Sequence, residues 1–170
     1  SSKNLSQDLL INLEIKSTPD EKNLTPDPQD LVQIGLNEIN NSNLKDKIII
    51  SSFDWRILRE VKNQSPEISR AYLTFQQEKG MKIKKTIYSK SPWIDHIPLT
   101  IVYDLPKIIK ELGGSAWHPY YKDINKKAVK DAHDYNLPVN VWTVNDEYNM
   151  LKMIEYEVDG IMTDYPLKLK

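Results

Sequence analysis

Ile11-Asn12-Leu13-Glu14-Ile15-Lys16 is the stretch on which the fold turns. Its apolar and polar residues alternate strictly. As a strand it sends Ile11, Leu13 and Ile15 to one face and Asn12, Glu14 and Lys16 to the other. A parallel sheet covered by helices on both sides wants apolar residues on both faces. A strand with one polar face fits the lumen of a parallel barrel, where charged residues near the C-terminal strand ends form the mouth. It also fits an edge strand with one wet side.

Outward from this strand the chain alternates strand-like and helix-like segments. Pro28, just after Asp27, suits the first position of a helix that runs on through Leu31, Ile34 and Glu38. Residues 48–53 form an apolar run closed by Ser51 and Ser52, as in a buried strand, and residues 55–63 read as the helix behind it. A third strand spans 71–75, and residues 76–101 are irregular. A helix over 106–112 ends at Gly113-Gly114. Short strands are expected at 115–118, 139–144 and 158–163. Between them lies one helix ending at Asn136, a plausible left-handed residue, and another capped by Asn145. Six strands separated by helices imply a parallel sheet. Two architectures remain at this point. One is an open doubly wound sheet; the other is a (β/α)8 barrel lacking its first two units, since such barrels run to about 250 residues and this chain has 170.

Composition narrows the function classes. Twenty-three basic against 24 acidic residues leave a net charge of −1, which argues against nucleic acid as a partner. No apolar run approaches a membrane span. The first ten residues do not read as a secretory leader, so a cytoplasmic protein is expected. With no cysteine and three dispersed histidines, His96, His118 and His133, neither a thiolate site nor a histidine-rich zinc site is expected.

Two blocks carry a resemblance. Val141-Trp142-Thr143-Val144-Asn145-Asp146 is followed, after one helix, by Val158-Asp159-Gly160-Ile161-Met162-Thr163-Asp164-Tyr165-Pro166. With Asn12-Leu13-Glu14-Ile15-Lys16, Ser51-Ser52-Phe53 and Ala132-His133 upstream, the sequence resembles the glycerophosphodiester phosphodiesterases over essentially its whole length. The resemblance implies an α/β, TIM-barrel (β/α)8 fold that is incomplete here, with roughly the last six units, strands three to eight, and a βα-loop insertion at about 76–113. The family's His-Arg-Gly strand, Glu-x-Asp strand and His-Asp pair are absent from these residues.

The implied reaction is divalent-cation-dependent hydrolysis of a small-molecule glycerophosphodiester to glycerol 3-phosphate and an alcohol, with Mg or Ca as the cation. Glu14 matches the family's metal carboxylate on the third strand, and Lys16 matches the lysine that meets a phosphate oxygen. Trp142 falls where an apolar wall would meet the glycerol moiety, whereas Phe53 is read as core. The catalytic histidines of the family match none of the three present, so no catalytic residue is assigned here; His118 alone lies near the expected mouth. The insertion resembles a substrate-capping loop, and Trp93 with its neighbouring lysines also allows a membrane-surface contact without stable insertion. A non-catalytic half-barrel binding or regulatory module is the alternative.

The 170 residues alone are therefore expected to release no glycerol 3-phosphate. The strands at 9–16 and 158–163 would leave two unpaired edges, so self-association through them is expected. Sedimentation checks this: oligomers are the expected result, and a clean monomer with a sharp thermal transition is the contrary one.

Overall fold

A computed structural model describes residues 9–21, 23–78, 85–88, 90–98 and 104–168. Four strands, β1 (Ile11–Glu14), β2 (Ile48–Ser52), β3 (Ser69–Thr74) and β4 (Ala116–Pro119), pair in parallel and in chain order. A parallel pair, β5 (Asn140–Val141) and β6 (Gly160–Ile161), continues the series. It joins β4 through bridges between Trp117 and Val139 and between Tyr120 and Trp142. A doubly wound sheet reverses its strand order at a switch point; here the order never reverses. Among the described residues β1 and β6 do not pair, so the six strands form an arc of the kind found in a (β/α) barrel, with an open side.

The helices α1 (Pro28–Asn41), α2 (Trp55–Gln64), α3 (Leu105–Glu111), α4 (Lys126–Asp134) and α5 (Glu147–Glu155) follow successive strands. Their apolar faces meet the outward residues of the sheet in one core, which includes Val32, Leu36, Leu58, Ile109, Val129 and Met150 against Ile50, Tyr72, Trp117 and Val141. Leu13 and Ile15 pack on this side, with Ile15 against Gly35 of α1. That leaves Asn12 and Glu14 on the opposite, concave face, as the alternation requires. A separate apolar cluster of Leu73, Phe75, Tyr120 and Trp142, with Phe53 and Met162, fills the concave side. The polar-faced strand thus turns Asn12 and Glu14 to the concave side of the arc.

Helix ends follow local chemistry. Pro28 opens α1, and Asp54, Asp104 and Asn125 cap the next three helices with side-chain oxygens. The cap of α5 is Asp146, which accepts from the Asn149 amide at 3.0 Å, rather than Asn145. Asn145 instead ties the strand ends together: its Oδ1 accepts from the Asp164 amide and its Nδ2 donates to the Asp164 carboxylate at 2.7 Å. Strands β5 and β6 are shorter than expected, although Met162 still donates to Val141 at 2.8 Å and Val144 to Met162 at 2.9 Å.

Helices α3, α4 and α5 finish alike. Gly113, Asn136 and Glu157 have φ of 85°, 52° and 65°, and each following amide reaches back to the carbonyl of Ile109, Ala132 or Met153. This is the paired 6→1 and 5→2 ending that favours glycine at the left-handed position. Glu157 bears the steric cost of its Cβ, and its exposed contact with Lys126 at 3.6 Å is of a kind that contributes little. Glu157→Gly is expected to stabilise the fold by about 0.5–1 kcal/mol, as measured by urea denaturation; a loss of stability would contradict this account of the α5 terminus.

Candidate functional site

The C-terminal strand ends of β1 and β2 open on a cavity of about 320 Å3 lined by Glu14, Lys16, Phe53 and Trp93, among others. Glu14 sits beside Ser51 in the ladder and reaches Lys16 across 3.6 Å. Lys16 is 80% exposed and Glu14 31%, so this pair contributes little to stability and leaves an accessible ammonium. The two predicted residues are therefore together at one mouth. Trp142 is elsewhere: it is buried, donates its indole N–H to the His118 carbonyl at 2.8 Å and meets Phe53 edge to face at 5.2 Å. It reaches the cavity through Phe53, which is half-buried and forms part of the wall rather than lying wholly in the core.

A hydrogen-bonded brace fixes this mouth. The Ser52 hydroxyl donates to the Ile15 carbonyl at 2.7 Å and accepts from the Asp54 amide at 3.1 Å. Asp54, fully buried, accepts from the Ser17 hydroxyl at 2.5 Å, from Arg56 Nη2 at 2.7 Å and from the Arg56 amide at 3.1 Å. One carboxylate thus caps α2, pairs with a guanidinium and holds the segment after Lys16. Sequence reasoning missed Asp54. Its signal was there, an Asp immediately ahead of the helix beginning at Trp55, but only the long-range Ser17 contact reveals what it does.

Trp93, in the segment between β3 and α3, is among the residues that line the cavity. The 3-10 turn Pro92–Ile94 is anchored by Ile94 in the main core, by the Ser91 hydroxyl and by an Asp95–Arg59 ion pair. Lys82 and Lys84 lie outside the described residues. Among the described residues no group of three or more His, Asp, Glu or Cys converges to hold a cation. Glu14 is a suitable carboxylate, but the described residues do not complete a metal site around it.

A second cavity of about 340 Å3 opens among the N-terminal strand ends, lined by Asn12, Ser69, His118, Asn140 and Gly160, among others. His118, expected near the mouth, lines this floor. Its Nε2 contacts Asn140 Nδ2 at 3.0 Å, its Nδ1 has no hydrogen-bond partner among the described residues, and it is 1% exposed. His96 and His133 are exposed, and His133 pairs with Asp159 at 2.8 Å. Burial pushes the His118 imidazole down to about 4.

The folded state therefore resists a proton that the unfolded chain accepts near pH 6.5, and stability falls as pH drops from there toward 4. Between pH 7 and 4.5 the protein should lose about 2–3 kcal/mol more than His118→Gln. Denaturation at the two pH values measures this, and parallel losses would contradict it.

Comparison with known proteins bears on these features. The model of the glycerophosphoryl diester phosphodiesterase family matches residues 2–168. A glycerophosphodiester phosphodiesterase of Caldanaerobacter subterraneus subsp. tengcongensis is 29% identical over 161 residues, 94% of this chain and 54% of that protein. The solved structure of a putative glycerophosphoryl diester phosphodiesterase from Silicibacter pomeroyi superposes with a TM-score of 0.73 at 30% identity, covering 94% of this chain and 48% of that one. An Oleispira antarctica phosphodiesterase, solved in complex with the product sn-glycerol-3-phosphate, shares the fold with a TM-score of 0.66 at 19% identity, over 94% and 53% of the two chains. The chain spans about half the length of these relatives. No helix among the described residues is long and apolar enough to cross a membrane. With its arc of sequential parallel strands and nearly its whole length matched, the chain belongs to the glycerophosphoryl diester phosphodiesterase family.

Proposed function

We propose that these 170 residues form the substrate-facing part of a phosphodiesterase that hydrolyses glycerophosphodiesters to glycerol 3-phosphate and an alcohol. The observation that carries this reading is the Glu14–Lys16 pair at the open mouth, set beside the aromatic wall of Phe53. The exposed Lys16 ammonium offers a point charge to a phosphate oxygen. Phe53, backed by Trp142 at 5.2 Å, offers the glycerol carbons an apolar face. The product bound to the Oleispira antarctica relative is the molecule this mouth would release.

The family's divalent cation, Mg or Ca, would be held in part by Glu14 and otherwise by groups beyond the described residues, and we assign it no step here. General acid and base are likewise expected outside these residues, because His118 is buried at the floor and neither His96 nor His133 is among the residues lining the mouth. A binding module without turnover would use the same Lys16 and Phe53.

The test is hydrolysis by a polypeptide that carries these residues together with the strands completing the barrel. Release of glycerol 3-phosphate is expected, and Glu14→Gln should lower turnover on the order of 100-fold at an unchanged melting temperature. Near-normal turnover with an unchanged cation optimum would remove Glu14 from the site. Binding of glycerol 3-phosphate with no turnover at all would favour the binding module.

A further inference from the structure

We propose that Ser17 and Asp54 are positioning residues for phosphate binding: their hydrogen bond holds the backbone that carries Lys16, so that the ammonium meets the phosphate from a fixed base. The inference rests on reading the mouth as a glycerophosphodiester site, and it separates two residues that stand side by side there. Strand β1 ends at Glu14, whose place is set by the ladder to Ser51. Lys16 lies beyond that end. Its side chain is 80% exposed, and its 3.6 Å contact with Glu14 is of a kind too weak to orient it. Its position therefore comes from the backbone on either side. On one side the Ile15 amide donates to the Ser51 carbonyl at 2.9 Å, and the Ile15 carbonyl accepts from the Ser52 hydroxyl at 2.7 Å. On the other side the Ser17 hydroxyl donates to Asp54 at 2.5 Å, a tie across 37 residues.

Asp54 suits this task because it is itself held in place. It is fully buried, and its Oδ1 accepts from the Arg56 amide at 3.1 Å at the head of α2. The Arg56 guanidinium grips both oxygens, with Nε 3.0 Å from Oδ1 and Nη2 2.7 Å from Oδ2. A hydroxyl bonded to such a charged acceptor is held more firmly than one bonded to a neutral group. Ser17 is 7% exposed and gives its proton to Asp54, so it acts on a ligand through Lys16. Without the Ser17 hydroxyl, Asp54 would still cap α2 and pair with Arg56, and only the tie to the β1 exit would be lost. Fold and brace are thus separable by substitution. Binding would then have to order the loosened segment, and affinity would fall accordingly.

Calorimetric titration of the 170-residue chain with glycerol 3-phosphate, together with backbone amide relaxation, tests this. Ser17→Ala should weaken binding about tenfold with little change in melting temperature. The order parameter of the Lys16 amide should drop from about 0.85 to below about 0.6, while that of Ile50 stays high. Ser17→Thr, which keeps the hydroxyl, should retain most of the affinity. Asp54→Ser, which keeps a helix cap but is too short to reach Ser17, should repeat the Ser17→Ala result. Undiminished binding by Ser17→Ala and Asp54→Ser, or weakened binding with a rigid Lys16 amide, overturns the positioning role and leaves the functional reading in place. Failure of the unsubstituted chain to bind glycerol 3-phosphate overturns both.

Discussion

Six parallel strands follow one another in chain order, and that pairing constrains the rest of the molecule. Each connection between parallel neighbours must cross over, and right-handed crossovers without an order reversal place every helix on the same side. The outer residues of all strands then share one core with five helices, and among the described residues the inner ones are left to a concave face that no helix covers. The alternation of Ile11 to Lys16 is the chemical consequence, with apolar side chains against α1 and polar ones toward the lumen.

Along that concave face the two ends differ. At the C-terminal end Ser52, Ser17 and Asp54 lock the strand β1 exit against the start of α2, so that Glu14 and Lys16 project from a fixed frame. At the N-terminal end the cavity is bordered by Asp46 and Lys47, and inside it His118 and Asn140 contact each other, while an added Cβ on Gly160 would run into the Asn140 amide. The Glu14–Lys16 pair therefore sits at the mouth, and the buried His118 with half-buried Asn140 sits at the floor. The C-terminal strand ends are where a barrel carries its site, and that is where the Glu14–Lys16 pair stands.

Local signals made much of this legible from sequence. Pro28, Gly113-Gly114 and Asn136 mark real helix boundaries because each acts through its own backbone geometry. Glu14 and Lys16 could be placed on one face because strand periodicity fixes the side of the sheet. Periodicity does not fix depth along a strand or what a loop folds back upon. Hence His118 was expected near the mouth but lies at the floor, and Phe53 was read as core but lines the cavity. Asp54, whose partner Ser17 is 37 residues away, and Trp93, held beside the cavity by its anchored neighbours Ile94 and Asp95, depend on tertiary contacts with no local signature. Asn145 looked like a cap because Asn often is one; its actual role needed Asp164, across the strand pair.

The central claim is that ligand binds at the C-terminal mouth of the arc. Amide chemical-shift mapping of the 170-residue chain with glycerol 3-phosphate addresses it directly, because the two cavities are lined by different residues. The account predicts that the perturbed amides cluster at Lys16, Ser17, Phe53 and Trp93. Perturbations centred on Asn12, Ser69 and Asn140, at the opposite end of the same strands, would contradict it.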